Sequence, residues 1–149
     1  MAISDHQAKV NGMDLPISTK QAIEVCKLLK GKSLEKSRKI LQAVIDMEKP
    51  VPFTRHKRNV GHRPGRIAAG RYPQKASREI LKLVNSLEAN AENKGLNVKE
   101  LYITTIMPNL ASRPMHFGRL RQRKTKRTHI QIIAEEREKQ TQPQRKETA

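Results

Sequence analysis

Three sets of residues in the sequence have types that can support chemistry. Gly31-Lys32-Ser33 resembles the end of a phosphate-binding P-loop, four of the five histidines could combine with the single cysteine, and several glutamates recur along one charged segment. A P-loop requires a glycine five residues before its second glycine, and a strand before the loop. Cys26 stands at that position and no strand precedes it. We therefore predict that Gly31-Lys32-Ser33 is a turn between two helices.

The histidines and the cysteine do not predict a metal site. His56, His62, His116 and His129 have spacings that match no zinc pattern, and Cys26 offers only one thiolate. Histidines that stand beside arginines in basic segments more often contact RNA phosphate or sugar. We therefore predict no metal ion, and we interpret these histidines as part of a basic surface.

The glutamates do not predict a catalytic site either. Glu79, Glu88, Glu92 and Glu100 fall on or beside a charged helix face, and no nucleophile–base pairing is evident from the spacing. We predict no catalytic residue, no cofactor and no small-molecule substrate. The chain is expected not to be an enzyme.

The excess positive charge lies in two segments. The sequence has 31 Lys and Arg against 14 Asp and Glu, a formal net charge of +17. Lys49–Arg78 contains nine Lys and Arg without a carboxylate, and Asn109–Ala134 contains seven, again without one. The remaining residues, with 15 basic and 14 acidic side chains, resemble an ordinary near-neutral fold. Because self-repulsion opposes the compact state of such a protein, both segments indicate a polyanionic partner.

Composition narrows that partner to nucleic acid. No stretch reaches the roughly 18 uninterrupted apolar residues of a membrane span, and Met1–Val10 lacks the layout of a signal peptide. The single cysteine cannot form an internal disulfide, which is typical of a reducing cytoplasm. Only 3% of residues are aromatic, which disfavours modules that read single strands on aromatic platforms. We expect phosphate neutralisation and recognition of folded RNA shape, around a small aliphatic core.

Apolar periodicity predicts the elements that position these basic segments. It favours helices over residues 19–30, 34–48 and 74–94, the first two separated by Gly31 and the third terminated by Gly95.

Local signals predict how the helices begin and end. Ser18 with Gln21 forms a capping-box pattern before the first helix, and Ser33 can cap the second. The second helix should end near Lys49, because Pro50 disfavours helix before it.

Strand signals flank the helices. Residues 8–17 can form a short strand, and two β-branched runs at Leu101–Met107 and Thr128–Ile133 predict a long antiparallel hairpin over 98–135. Its tip, about residues 109–125, is too polar to pack on a core. At roughly 3.3 Å per residue, arms of about a dozen residues extend on the order of 40 Å.

The composition also predicts the domain organisation. We expect a single domain over residues 1–135, which contains a basic RNA-binding loop at 49–78. The polar segment 136–149 lacks an apolar anchor and is predicted to be a disordered tail.

At this level of detail the chain resembles a known family over about residues 15 to 135. It is similar to the universal ribosomal protein numbered twenty-two of the large subunit, in its archaeal form. The resemblance depends on the order and spacing of several short motifs: Gly31-Lys32-Ser33, Pro50-Val51-Pro52-Phe53 with His56, Gly61-His62, Gly70-Arg71-Tyr72-Pro73 with Lys75-Ala76, Asn90-Ala91, Gly118-Arg119 and Lys126-Arg127-Thr128-His129-Ile130.

The resemblance implies a fold and a role. The fold is α+β, with three helices packed on a small three-stranded antiparallel sheet and an extended β-hairpin. The implied role is that of a structural constituent of the large ribosomal subunit, whose globular part lies near the polypeptide exit and whose hairpin lines the nascent-chain tunnel. The chain departs from the family at the tip, which reads Arg113-Pro114-Met115-His116-Phe117-Gly118-Arg119 where members often have Arg-Ala-x-Gly-Arg.

The predicted site is an rRNA-binding surface in the two basic segments. Its residues are Arg55, His56, Lys57, Arg58, His62, Arg63, Arg66, Arg71, Lys75, Arg113, Arg119, Arg121, Arg123, Lys124, Lys126 and Arg127. The residues predicted to line the tunnel are Met115, His116, Phe117, Gly118 and Arg119. The implied partners are several domains of large-subunit rRNA, neighbouring large-subunit proteins and the nascent polypeptide, in the cytoplasm and without a membrane.

Two other classes of function remain open. A free regulatory RNA- or DNA-binding module would also be basic, although the Gly31 turn is not followed by a basic recognition helix. A helical protein-interaction adaptor would explain the three helices but not the charge.

Overall fold

Strands and helices are interspersed along residues 6–136, the part of the chain that this computed structural model describes. In chain order the elements are β1 (Gln7–Leu15), α1 (Thr19–Leu29), α2 (Leu34–Ile45), β2 (Val51–Pro52), β3 (Gly70–Arg71), α3 (Gln74–Asn93), β4 (Leu101–Leu110) and β5 (Thr128–Glu136). Single 3₁₀ turns lie at Val98–Glu100 and Gly118–Leu120. The predicted α+β class, with three helices and a three-stranded antiparallel sheet, is confirmed.

The central strand of the sheet is β5, with β1 and β4 antiparallel on either side. Its inward residues Ile130, Ile132 and Ala134 are buried, as the period of two along a half-buried strand requires. The strand therefore belongs both to the hairpin and to the core. Glu136, the first residue of the predicted tail, is the last residue of β5. The rest of that tail, residues 137–149, lies outside the described residues.

The hairpin ladder is longer than the two β-branched runs predicted. It extends from Leu101 opposite Glu136 to Leu110 opposite Thr128, and so includes Pro108. Proline is tolerated here because β4 is an edge strand, where a missing backbone N–H does not interrupt pairing on both sides.

The helix ends correct two predictions. Ser18 precedes α1, but its side chain accepts no capping hydrogen bond, so the capping box was wrong. Thr19 Oγ1 instead lies 2.8 Å from Thr128 Oγ1, which joins α1 to β5. The second helix ends at Ile45 rather than near Lys49, since Met47 adopts a left-handed conformation (φ 60°) that is incompatible with a continued α-helix.

Other predicted boundaries are confirmed. Ser33 is the N-cap residue of α2 and accepts a long hydrogen bond of 3.5 Å from Lys36 N. Gly31 lies in the turn between α1 and α2, as predicted for the P-loop-like motif. Gly95, at φ 73°, follows the end of α3, and its N–H donates to Glu92 O at 2.9 Å.

The core is small and aliphatic, as the composition predicted. Its largest fully buried side chains include Leu29, Leu41, Ile80 and Leu87 from the helices, packed on the inner face of the sheet. Among the described residues, Phe53 is the one aromatic side chain in it. No helix in the described part of the chain is long and apolar enough to cross a membrane.

Candidate nucleic-acid interface

The predicted basic residues are almost all on the surface. Of the sixteen, fourteen are exposed, and His56 and Arg127 are half-buried. The surface is therefore available to a polyanion.

A buried glutamate holds the start of the basic loop, defined as residues 49–78. Glu24 of α1 is only 1% exposed, and its carboxylate points to the segment after β2. Its Oε1 accepts the backbone N–H of Arg55 and of His56, both at 2.9 Å. Its Oε2 accepts the N–H of Thr54 at 3.1 Å and the Thr54 hydroxyl at 3.2 Å. These four bonds compensate a buried charge and fix the backbone of the loop.

This arrangement shifts the pKa of the Glu24 carboxyl. Burial raises the pKa of its carboxyl, but the hydrogen bonds from the backbone of His56, Thr54 and Arg55 and from the Thr54 hydroxyl lower it. The hydrogen bonds prevail, so the pKa lies below its ordinary value of 4.5 and the group is ionised at neutral pH. Glu24 was not predicted as a site residue, because a lone carboxylate in a helix carries no local signal of a distant loop.

Two contacts between arginine and aromatic side chains stabilise the rest of the loop. The Arg63 guanidinium lies 5.3 Å from the centre of the Tyr72 ring, and its Nε donates to Gly70 O at 3.4 Å. The Arg71 guanidinium lies 5.9 Å from the centre of the Phe53 ring. Together with the short β2–β3 pair, these contacts close the loop at its base. Arg63 and Arg71 thus have structural contacts in addition to the predicted RNA contacts.

The two basic segments meet in a cleft of about 360 Å³, which we name the junction cleft. It joins α1, the basic loop and the return side of the hairpin. Its lining residues are Ser18, Lys20, Gln21, Phe53, Arg55, His56, Arg58, Arg71 and Lys126. No carboxylate is among them, and the buried Nε2 of His56 has no hydrogen-bond partner within residues 6–136. The structure therefore brings together residues about 70 positions apart in the sequence into one cationic surface.

A smaller cleft of about 260 Å³ continues this surface toward the hairpin tip. It is lined by Ser18, Thr19, Lys20, Arg113 and Lys126. Lys20 lines both clefts, although it lies outside the basic segments and was not predicted. The one available signal is a first turn of α1 without an acidic residue, where a carboxylate is usually favourable.

Arg127 is the predicted site residue that differs most from the others. Its guanidinium pairs with Asp14 at 3.8 Å, and the Asp14 N–H donates to His129 Nδ1 at 3.1 Å. Arg127 is thereby partly neutralised within the chain, at the junction of β1 and β5.

The hairpin beyond the sheet, which includes the predicted tip (109–125), is held by few contacts. Its cross-strand bonds include Thr125 N–H to Pro114 O and His116 N–H to Arg123 O, both 2.9 Å. Phe117 is 95% exposed and Met115 58%, so the predicted tip residues form no core of their own. The isolated Met115–Lys124 bridge is the last strand-like pairing in this segment of the described chain.

Metal and thiol chemistry find no support in the described residues. Within residues 6–136, no three His, Cys, Asp or Glu side chains are grouped as metal ligands. Burial raises the pKa of the Cys26 thiol to about 12, so it is not an activated nucleophile.

Comparison with known proteins shows the family to which the chain belongs. Residues 10–135 match the family model described as ribosomal protein L22p/L17e. The chain belongs to this ribosomal protein family. The match covers every helix and every strand described here except the first residues of β1 and the last residue of β5.

Individual relatives agree with the family match. The chain is 42% identical over 135 residues to the large ribosomal subunit protein uL22 of Archaeoglobus fulgidus, which covers 86% of this chain and 87% of that protein. It is 43% identical over 136 residues to uL22 of Methanocaldococcus jannaschii, with 87% of each chain covered. It is 42% identical over 142 residues to uL22 of Methanopyrus kandleri, with 89% of each covered. The resemblance to the archaeal form of the family is thereby confirmed, and L22p/L17e proteins are structural components rather than enzymes.

Proposed function

We propose that this chain is a structural constituent of the large ribosomal subunit, where it binds and organises large-subunit rRNA in the cytoplasm. The observation that carries the proposal is the junction cleft, where cations from α1, the basic loop and the hairpin converge and no carboxylate is among the lining residues. Phosphates are the groups that such a surface accommodates, since each cation there can replace a condensed counterion of the RNA. Family membership supports the same role.

The basic loop and the hairpin have different parts in this proposal. The loop, fixed by Glu24 and by the contacts of Arg63 and Arg71, presents Arg55 and Arg58 in a set geometry. The planar guanidinium of arginine binds pairs of phosphate oxygens and stacks on exposed bases better than the ammonium group of lysine does. The hairpin presents Arg113 and Arg119–Arg127 along a ribbon that has no apolar face to bury beyond Ala111. RNA packed around this ribbon supplies the contacts that the chain itself lacks.

We further propose that the tip lines the nascent-chain tunnel. The exposed residues Met115, His116 and Phe117, with Gly118 and Arg119, form its end. The basic part of the hairpin suits a position surrounded by RNA. The exposed apolar side chains of the tip suit a position that a polypeptide passes. The partners in this arrangement are several rRNA domains, neighbouring large-subunit proteins and the nascent polypeptide.

Site-specific cross-linking tests this proposal. A photoreactive residue replaces Phe117 in the chain of a host ribosome, and nascent chains are arrested in the tunnel. We expect cross-links to the nascent chain from position 117 and none from a matched probe at Met47, which is also exposed but lies on the globular part. If the chain enters large subunits but position 117 gives no cross-link to the nascent chain, the proposal that the tip lines the tunnel is wrong. If the chain does not co-sediment with large subunits after a high-salt wash, the proposal that it is a constituent of the subunit is wrong.

A further inference from the structure

Backbone hydrogen bonds join the turn with the P-loop-like sequence to the edge of the sheet. The N–H of Gly31 donates to Ile103 O at 2.8 Å, and the N–H of Ile103 donates to Lys32 O at 2.9 Å. Gly31 has φ 77°, a conformation that favours glycine, and Ser33 pairs with Tyr102 beside it. The turn thereby covers part of the outer edge of β4 and fixes the position of Lys32.

A second cationic cleft, of about 360 Å³, lies beside this turn. It is lined by the Gly31-Lys32-Ser33 turn, by Lys36, Lys39 and Ile40 of α2, and by Tyr102 of β4. We name it the lysine cleft. Three of its lining residues are lysines, and Ile40 and Tyr102 contribute apolar surface. No carboxylate lines it, and none of the three lysines has an ion pair within residues 6–136.

The lysine cleft is separate from the junction cleft. The junction cleft includes Ser18 and Lys20 at the start of α1, whereas the lysine cleft begins at Gly31, after its end. The eleven residues of α1 at 1.5 Å each place the two clefts roughly 16 Å apart along the helix. The lysine cleft is therefore a contact surface separate from the one that the two basic segments form.

Tyr102 indicates the chemistry of that ligand. Of the four aromatic residues in the chain, Phe53 and Tyr72 contact arginines of the basic loop, and Phe117 lies at the hairpin tip. Tyr102 is the fourth, and it lines the cleft together with Lys32, Lys36 and Lys39. A ring beside several ammonium groups suits a nucleotide, whose base stacks on the ring while its phosphates meet the lysines.

We propose that the lysine cleft binds a nucleotide of large-subunit rRNA, with its phosphates at Lys32, Lys36 and Lys39 and its base against Tyr102 and Ile40. The inference rests on the proposed function and assigns the protein a second RNA contact away from its two basic segments. RNA fits better than an acidic peptide because the cleft offers a flat ring and a volume suited to one small planar group.

The test uses the full chain and large-subunit rRNA of Archaeoglobus fulgidus, whose uL22 is 42% identical to this chain. After ultraviolet cross-linking and digestion, we expect RNA-linked peptides that contain Tyr102, in addition to peptides from the basic loop. Lys36→Gln with Lys39→Gln should lower the slope of log affinity against log salt by about 0.7–0.9 for each phosphate that is no longer neutralised. The matched control is Lys82→Gln with Lys99→Gln, which removes the same charge at two other exposed positions and should leave the slope unchanged. Tyr102→Leu should weaken binding about tenfold without changing the slope.

The outcomes separate this inference from the proposed function. Cross-links in the basic loop but not at Tyr102, with equal slopes for both lysine pairs, overturn the inference and leave the proposed function in place. Absence of RNA cross-links from every peptide overturns the proposed function itself. In intact subunits, a cross-link from Tyr102 to a neighbouring protein and not to rRNA would show that a polypeptide fills the cleft, which also overturns the inference.

Discussion

The carboxylate of Glu24 accepts the backbone N–H of His56 at 2.9 Å across 32 positions of sequence. The same carboxylate accepts the N–H groups of Arg55 and Thr54. A buried anion on a helix thereby fixes the backbone of an otherwise cationic loop and leaves the Arg55 side chain exposed. This relationship makes the loop a preformed part of the fold.

Removal of the Glu24 charge should loosen the loop. In Glu24→Gln the amide nitrogen cannot accept a hydrogen bond, so at least one partly buried N–H is left unsatisfied. We expect a decrease of about 1–3 kcal/mol in the free energy of unfolding. Hydrogen exchange should show weaker protection of the amides of residues 54–56, while Glu92→Gln, an exposed control on α3, should not. Equal protection in both variants would show that Glu24 does not hold the loop.

The Glu24 contribution should depend on pH. Because its pKa is lowered in the folded state, the stabilisation is fully present above its ordinary value of 4.5 and is lost as pH falls through the lowered folded pKa. Urea denaturation should therefore show a gap between the wild-type chain and Glu24→Gln that is full at pH 7 and shrinks well below pH 4.5. A gap that stays constant down to pH 3 would contradict the assignment.

The elements whose pattern is local could be predicted from the sequence. The three helices, the three-stranded sheet and the hairpin follow from apolar periodicity, β-branched runs and the resemblance. The capping box at Ser18 was wrong because a tertiary contact, Thr19 with Thr128, replaces the local one. The end of α2 was wrong because nothing in the composition marks Met47 for a left-handed conformation.

The site was predicted as two basic segments, but not as one surface. Charge counts reveal which segments are cationic, whereas convergence in the junction cleft depends on the packing of α1 against the sheet. Lys20 and Glu24 were missed for that reason, since their roles exist only through residues that are distant in sequence. The RNA contacts of the individual side chains stay predictions.

The hairpin tip should be ordered by RNA and not by the chain. Residues 112–120 are all exposed, and few cross-strand bonds hold them. In the RNA-free protein we expect low backbone order parameters for residues 112–124, while Thr19–Leu29, Leu34–Ile45 and Gln74–Asn93 remain rigid. A rigid, exchange-protected tip in the free protein would contradict this prediction.

Deletion of Ser112–Lys124, closed with a short turn, should leave the domain folded. The deleted residues contribute nothing to the described core, and the β4–β5 ladder from Leu101 to Leu110 remains intact. We expect a change in melting temperature of a few degrees at most and weaker entry into large subunits. Collapse of the fold in circular dichroism would mean that the tip stabilises the core.

The central claim is that the basic loop and the hairpin form one RNA-binding surface at the junction cleft. The most direct test is the salt dependence of binding to large-subunit rRNA by Arg58→Gln with Lys126→Gln, one residue from each segment. We predict that the slope of log affinity against log salt becomes shallower by about 0.7–0.9 for each phosphate that the variant no longer neutralises. The charge-matched control, Lys82→Gln with Lys99→Gln, should keep the wild-type slope. Identical slopes for the two variants would contradict the claim.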